Sequence, residues 1–150
     1  MKARKWLERG MITTDPVEAF SCFWRGFNNL FSSAGNGQER ELIRAFLTNN
    51  LTGIQAHEIL MSNAESVGIL LSKPVIDMRR NGKDSAPYIH AFNTAIDPQT
   101  KVQELFMIIY QVRCNLEHGQ KSPTNERDIQ LCKCAAPIIA HVIESQASNP

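Results

Sequence analysis

The densest run of chemically capable side chains is Tyr110-Gln111-Val112-Arg113-Cys114-Asn115-Leu116-Glu117-His118-Gly119-Gln120-Lys121-Ser122. Cutting RNA without a metal requires three things: a base for the 2′-hydroxyl proton, an acid for the leaving 5′-oxygen, and fixed positive charge for the phosphorane oxygens. Histidine titrates in the useful range, and arginine offers a planar, permanently charged fork to phosphate. Arg113 and His118 are therefore the candidate catalytic residues, with Asn115, Lys121 and Ser122 as candidate substrate contacts. The competing structural reading makes Arg113 a helix-terminal arginine, His118 a C-cap and Asn115 a local backbone partner.

Spacing constrains the pair. Residues five apart on a helix point about 140° away from each other, so sharing one face requires the helix to end or bend between 113 and 118, with Gly119 as a stop. The carbonyl end of such a helix and Glu117 favour imidazolium while Arg113 opposes it, which leaves the direction of the His118 shift open. With one histidine per chain in the segment, an acid and a base together require either two copies or a proton transfer assisted by the substrate.

The elements that must position this segment read as helices. Thr14-Asp15-Pro16-Val17-Glu18 combines a capping acid with proline at the first helical position. It opens a helix whose apolar positions Val17, Phe20, Phe23, Trp24, Phe27, Leu30 and Phe31 recur every three or four residues, ending near Ser33-Ala34-Gly35-Asn36-Gly37. This aromatic stripe is read as core or dimer contact. A second helix is expected over 38–49, with Leu42, Ile43, Phe46 and Leu47 inward and Glu39, Arg40, Glu41 and Arg44 solvated. A third is expected over 54–61.

Residues 73–98 hold three prolines and Asn81-Gly82, and read as a long irregular insertion with at most a hairpin or a helical turn. Helical periodicity returns over 99–116, with Val102, Leu105, Phe106, Ile109 and Val112 on one face. The last helix is expected over 125–146, with Ile129, Cys132, Ala136, Ile139 and Ile143 inward and Pro137 kinking or breaking it. The expectation is a single all-α domain over 1–150, a compact bundle of about five helices with one irregular loop insertion and a loose segment at 1–13.

In this setting the Arg113-x4-His118 pair, the apolar helix leading into it, the His118-Gly119 exit and the long closing helix resemble the HEPN (higher eukaryotes and prokaryotes nucleotide-binding) superfamily. The aromatic helix with Phe20, Phe23-Trp24 and Phe27-Asn28-Asn29-Leu30 is similar to a bacterial branch of it. The resemblance implies a homodimer that brings two Arg and His sets to one cleft, a metal-independent endoribonuclease with no cofactor, and a toxin or defence setting with RNA and an antitoxin or other protein as partners. Arg113 and His118 would take the catalytic positions. Two positions depart from the pattern: Cys114 stands where many catalytic members carry Asn, Asp or His, and Gln120 stands where a subset carries tyrosine.

Whole-chain properties narrow the alternatives. Sixteen Lys and Arg oppose fifteen Asp and Glu, so no long-range one-signed field gathers nucleic acid and any phosphate contact must be local. The apolar runs 67–71 and 105–109 are too short for a bilayer, the basic N-terminus is followed by no signal-length apolar stretch, and four cysteines in apolar or helical sequence suit a reducing compartment. The expectation is a cytoplasmic protein away from membranes. Cys132-Lys133-Cys134 lacks zinc-like spacing and reads as buried thiols, with no metal. Two alternatives stand beside the nuclease: a non-catalytic dimeric module binding RNA, nucleotide or protein at the same cleft, and an assembly domain whose motif only holds a dimer.

Overall fold

A computed structural model of the chain describes residues 2–79, 81–118 and 125–147, with only the backbone of Ala34, His118 and Ala147. Among the described residues there are eight α-helices: α1 (Lys2–Ile12), α2 (Pro16–Phe31), α3 (Glu39–Asn50), α4 (Gly53–Ser62), α5 (Ala64–Ser72), α6 (Ala86–Thr94), α7 (Pro98–His118) and α8 (Glu126–Ala147). The chain is all-α as expected, but with eight helices rather than about five.

The expected capping chemistry is in place. Asp15 accepts a hydrogen bond from the Val17 amide at 3.0 Å with Pro16 opening α2, and a short 3-10 turn, Ser32–Ala34, closes it. Thr52 and Gln55 form a reciprocal capping box at the start of α4. Asp97 accepts from the amide and hydroxyl of Thr100 ahead of Pro98, and these bonds hold the Asp97 carboxyl below its ordinary range.

Helix α7 is the spine of the bundle. Val102, Leu105, Phe106, Met107, Ile108, Ile109 and Val112 are all buried, so the helix is enclosed around most of its circumference before its last turn emerges. The aromatic stripe of α2 packs toward it. Phe27 meets Phe106 at 5.0 Å and Phe46 at 5.8 Å between ring centroids, and Trp24 meets Tyr110 at 6.0 Å. Phe20, Phe27, Phe31 and Phe106 are fully buried, each stabilising the fold by about 1.5–3 kcal/mol through area removed from water. The stripe is core. Helix α8 covers the other side with Cys132, Ala136, Ile139 and Ile143 inward and Ile129 partly so.

Four expectations need correction. Residues 2–12 are not loose: they form α1, docked on α2 through Ala3, Leu7 and Gly10. A Cβ on Gly10 would come within 2.5 Å of the Phe23 ring, so glycine there is what permits the close approach. The Val67-to-Leu71 run belongs to a helix of its own, α5, which turns Val67 and Leu70 into the core. The irregular insertion is confined to 73–85, because 86–94 is α6. Inside it, an antiparallel bridge joins Ile76 and Asp84, and Gly82 takes φ 76°, a hairpin-like turn. Finally, Pro137 does not break α8: the helix runs through it, with the proline on the exposed side.

Candidate functional site

The last turn of α7 sits between α2 on one side and the 73–85 loop on the other. Toward α2, Arg113, Leu116 and Glu117 face Val17, Phe20, Ser21, Trp24 and Arg25 across an open cleft of about 230 Å³. The Arg113 side chain is 23% exposed and its guanidinium lies 5.9 Å from the centre of the Trp24 ring. It pairs with Glu117 at 2.6 Å and reaches Glu39, in the first turn of α3, at 4.0 Å. Trp24 is buried, and its indole N–H has no hydrogen-bond partner among the described residues.

The helix does not end or bend between the two motif residues. Its hydrogen-bonded backbone runs unbroken through 118, so the register sets positions 113 and 118 about 140° apart. The expected shared face within one chain is absent for that reason. Lys121, Ser122, Gly119 and Gln120 lie outside the described residues.

Asn115, a candidate substrate contact, is engaged within the fold. Its Nδ2 donates to the Ile76 carbonyl at 2.8 Å, and its Oδ1 accepts from the Met78 amide at 3.1 Å and from Gln111 at 2.9 Å. The side chain thus latches the loop onto α7. Arg79 follows in the same loop, within electrostatic reach of Cys114 and Tyr110. Its guanidinium forks onto Asp77 at 2.8 Å, and these bonds, with one from the Arg79 amide, hold the Asp77 carboxyl well below the usual carboxylate range.

Cys114 is half-buried and hydrogen-bonded to Tyr110. Burial pushes the thiol up, and burial together with the neighbouring Cys114 pushes Tyr110 to about 12. Both groups stay neutral near pH 7. Arg113 and Arg40 lie close enough to Cys114 to oppose that shift.

Arg40, expected among solvated residues, is instead a structural clamp. It lies 5.1 Å from the Tyr88 ring centre and 4.7 Å from that of Tyr110, and donates to the Met107 carbonyl at 3.1 Å. Arg44 likewise forks onto the buried Glu104 at 2.7 and 3.3 Å. Both were hidden in sequence by their Glu-rich surroundings. The helical spacing of 40 and 44 against 104, 107 and 111 on α7 emerges only once α3 and α7 are paired.

The remaining candidates stay apart from this site. His57 and His90 are exposed, and His141 contacts Asn63 at 3.2 Å. Cys132 and Cys134 are buried free thiols, Cys132 raised to about 12 chiefly by burial. Among the described residues no three His, Cys, Asp or Glu side chains are grouped to hold a metal ion, and no helix is long and apolar enough to cross a membrane.

Compared with known proteins, the chain matches no family model, no curated protein and no solved structure.

Proposed function

We propose that this chain is a HEPN-like, metal-independent endoribonuclease that works as a homodimer. The observation that carries the reading is Arg113, placed over Trp24 at the mouth of the α2–α7 cleft, less than two helical turns before the motif histidine. In the proposed reaction a base takes the 2′-hydroxyl proton and the 2′-oxygen attacks the adjacent phosphorus. The P–O5′ bond breaks to leave a 2′,3′-cyclic phosphate, and an acid protonates the departing 5′-oxygen. Arg113 holds the phosphorane oxygens and His118 moves a proton. The 140° register between them is the reason to invoke a second copy, whose His118 completes the set.

Glu117 does not bar phosphate from Arg113. A half-exposed i,i+4 ion pair is worth about 0.3–0.5 kcal/mol, so a phosphate that draws the guanidinium away from Glu117 gives up little. The low net charge is no obstacle either, because the reading needs only a few cations at one place, doubled in a dimer.

Cleavage of structured and single-stranded RNA in the presence of EDTA tests the proposal. Activity that disappears in both Arg113→Ala and His118→Ala supports it, and clean protein without activity, or activity indifferent to His118→Ala, refutes it.

A second reading, a non-catalytic module binding RNA or nucleotide in the same cleft, is favoured by Cys114, which is occupied by Tyr110 rather than offered to a ligand. Saturable binding lost in Arg113→Ala without any turnover selects it. An antitoxin or other protein partner and the toxin or defence setting remain part of the proposal.

A further inference from the structure

Beside the Arg113 cleft lies a larger one, about 440 Å³, between α1 and α2. Trp6 and Arg9 line it from α1, and Val17, Ser21 and Arg25 from α2. The same three α2 residues line the Arg113 cleft. At spacings of four they stack in a single row along α2, so the two clefts are the two flanks of one ridge, and Arg25 reaches both.

The chemistry of the larger cleft differs from that of an ordinary solvated surface. Arg9 and Arg25 are exposed, neither makes an ion pair among the described residues, and their guanidiniums lie 5.5 and 5.0 Å from the centre of the half-buried Trp6 ring. Gly26 makes this possible: a Cβ there would crowd the Ala3 carbonyl at 3.0 Å and Trp6 Cβ at 3.2 Å, so its absence lets α1 bring Trp6 against α2. The two carboxylates at the rim are already engaged, Asp15 in capping α2 and Glu18 with the Thr13 hydroxyl at 3.5 Å. Helix α1 adds Lys2, Arg4 and Lys5 against the single acid Glu8.

Unpaired guanidiniums on a half-buried tryptophan, opening directly onto the Arg113 cleft, match what a single strand requires: a planar group for a base and separated cations for successive phosphates. We propose that the Trp6–Arg9–Arg25 cleft binds the single-stranded RNA segment flanking the phosphate held at Arg113. This rests on the reading of the Arg113 cleft as an RNA site, and it makes α1 a substrate-binding element.

The test measures anisotropy of labelled 2′-O-methyl oligomers, which bind but cannot form the cyclic phosphate, at a dinucleotide length and at about twelve nucleotides. Arg9→Gln/Arg25→Gln keeps the aliphatic stems over Trp6. It is expected to remove most of the affinity that the longer oligomer gains over the shorter, and to lower the salt slope by about 1.4, at roughly 0.7 per single-strand phosphate contact. Trp6→Ala is expected to weaken the long oligomer by about 5- to 150-fold, with Trp6→Phe restoring most of it should the alanine variant lose stability.

A double variant with wild-type affinity and slope for the long oligomer overturns the proposal, whether or not the protein cleaves RNA. Wild type that cleaves nothing, yet loses the long oligomer in the double variant, sinks the nuclease and supports this cleft. Wild type that binds neither oligomer overturns both.

Discussion

Asn115→Ala separates a latch from a ligand contact. Asn115 makes three hydrogen bonds, at 2.8, 2.9 and 3.1 Å, two of them to loop backbone at Ile76 and Met78. Its surroundings are half-exposed, so each bond falls at the lower end of the net range, about 0.5–1 kcal/mol, and the side chain contributes about 2 kcal/mol in all. If loop and bundle unfold together, a domain of this size loses about 4–8 °C in Tm. If the loop opens by itself, the loss appears locally instead. The amides of Asp77 and Ser85 keep their own bonds, to Lys83 and Val75, in the variant, so their hydrogen exchange reports release of the loop. That exchange is expected to accelerate about 5- to 30-fold, the population equivalent of 1–2 kcal/mol. Unchanged Tm together with unchanged exchange at both amides would refute the latch. Weakened oligonucleotide binding on an undisturbed loop would return Asn115 to the substrate.

Three further outcomes follow from the packing and charge described above. Gly10→Ala forces a methyl into the Phe23 ring at 2.5 Å and is expected to cost about 1–3 kcal/mol in thermal or denaturant unfolding. The depressed Asp77 carboxyl contributes stability that is complete above its unfolded value near 4 and is lost as pH falls below it; the stability gap between wild type and Asp77→Asn should therefore narrow in acid unfolding measured below about pH 4. Titration with a thiol reagent at pH 8 is expected to reach Cys114 alone, and slowly, since burial pushes it up, while Cys22, Cys132 and Cys134 respond only after unfolding.

Legibility in the sequence followed the strength of the local signal. Helix α2 announces itself with Asp15-Pro16 and seven periodic apolar residues, and α3, α7 and α8 carry apolar faces long enough to read. The helices that escaped notice offer few apolar anchors. Helix α1 buries only Ala3, Leu7 and Gly10 among basic residues, and α6 buries only Phe92 behind a proline. In α5 a block of five apolar residues obscures the fact that only Val67 and Leu70 are buried.

The site divides similarly. Arg113 was visible as a residue type at a helix end, and the structure places it in a cleft. The role of Asn115 was not, because its partners lie 37 and 39 residues away in a loop without periodicity. Arg25 and Trp6 share a cleft only because two glycines let their helices approach, a relation no local pattern records.

The course of α7 has a last consequence. From Val102 to Val112 the helix is bedrock, where nearly any exchange of side chain disturbs the packing, while from Arg113 onward it projects like the tip of a tool from its handle. The two halves thus answer to different demands on one continuous rod. The handle fixes where the tip stands, and the tip in turn holds its neighbours, Arg113 against Trp24 and Asn115 against the 73–85 loop.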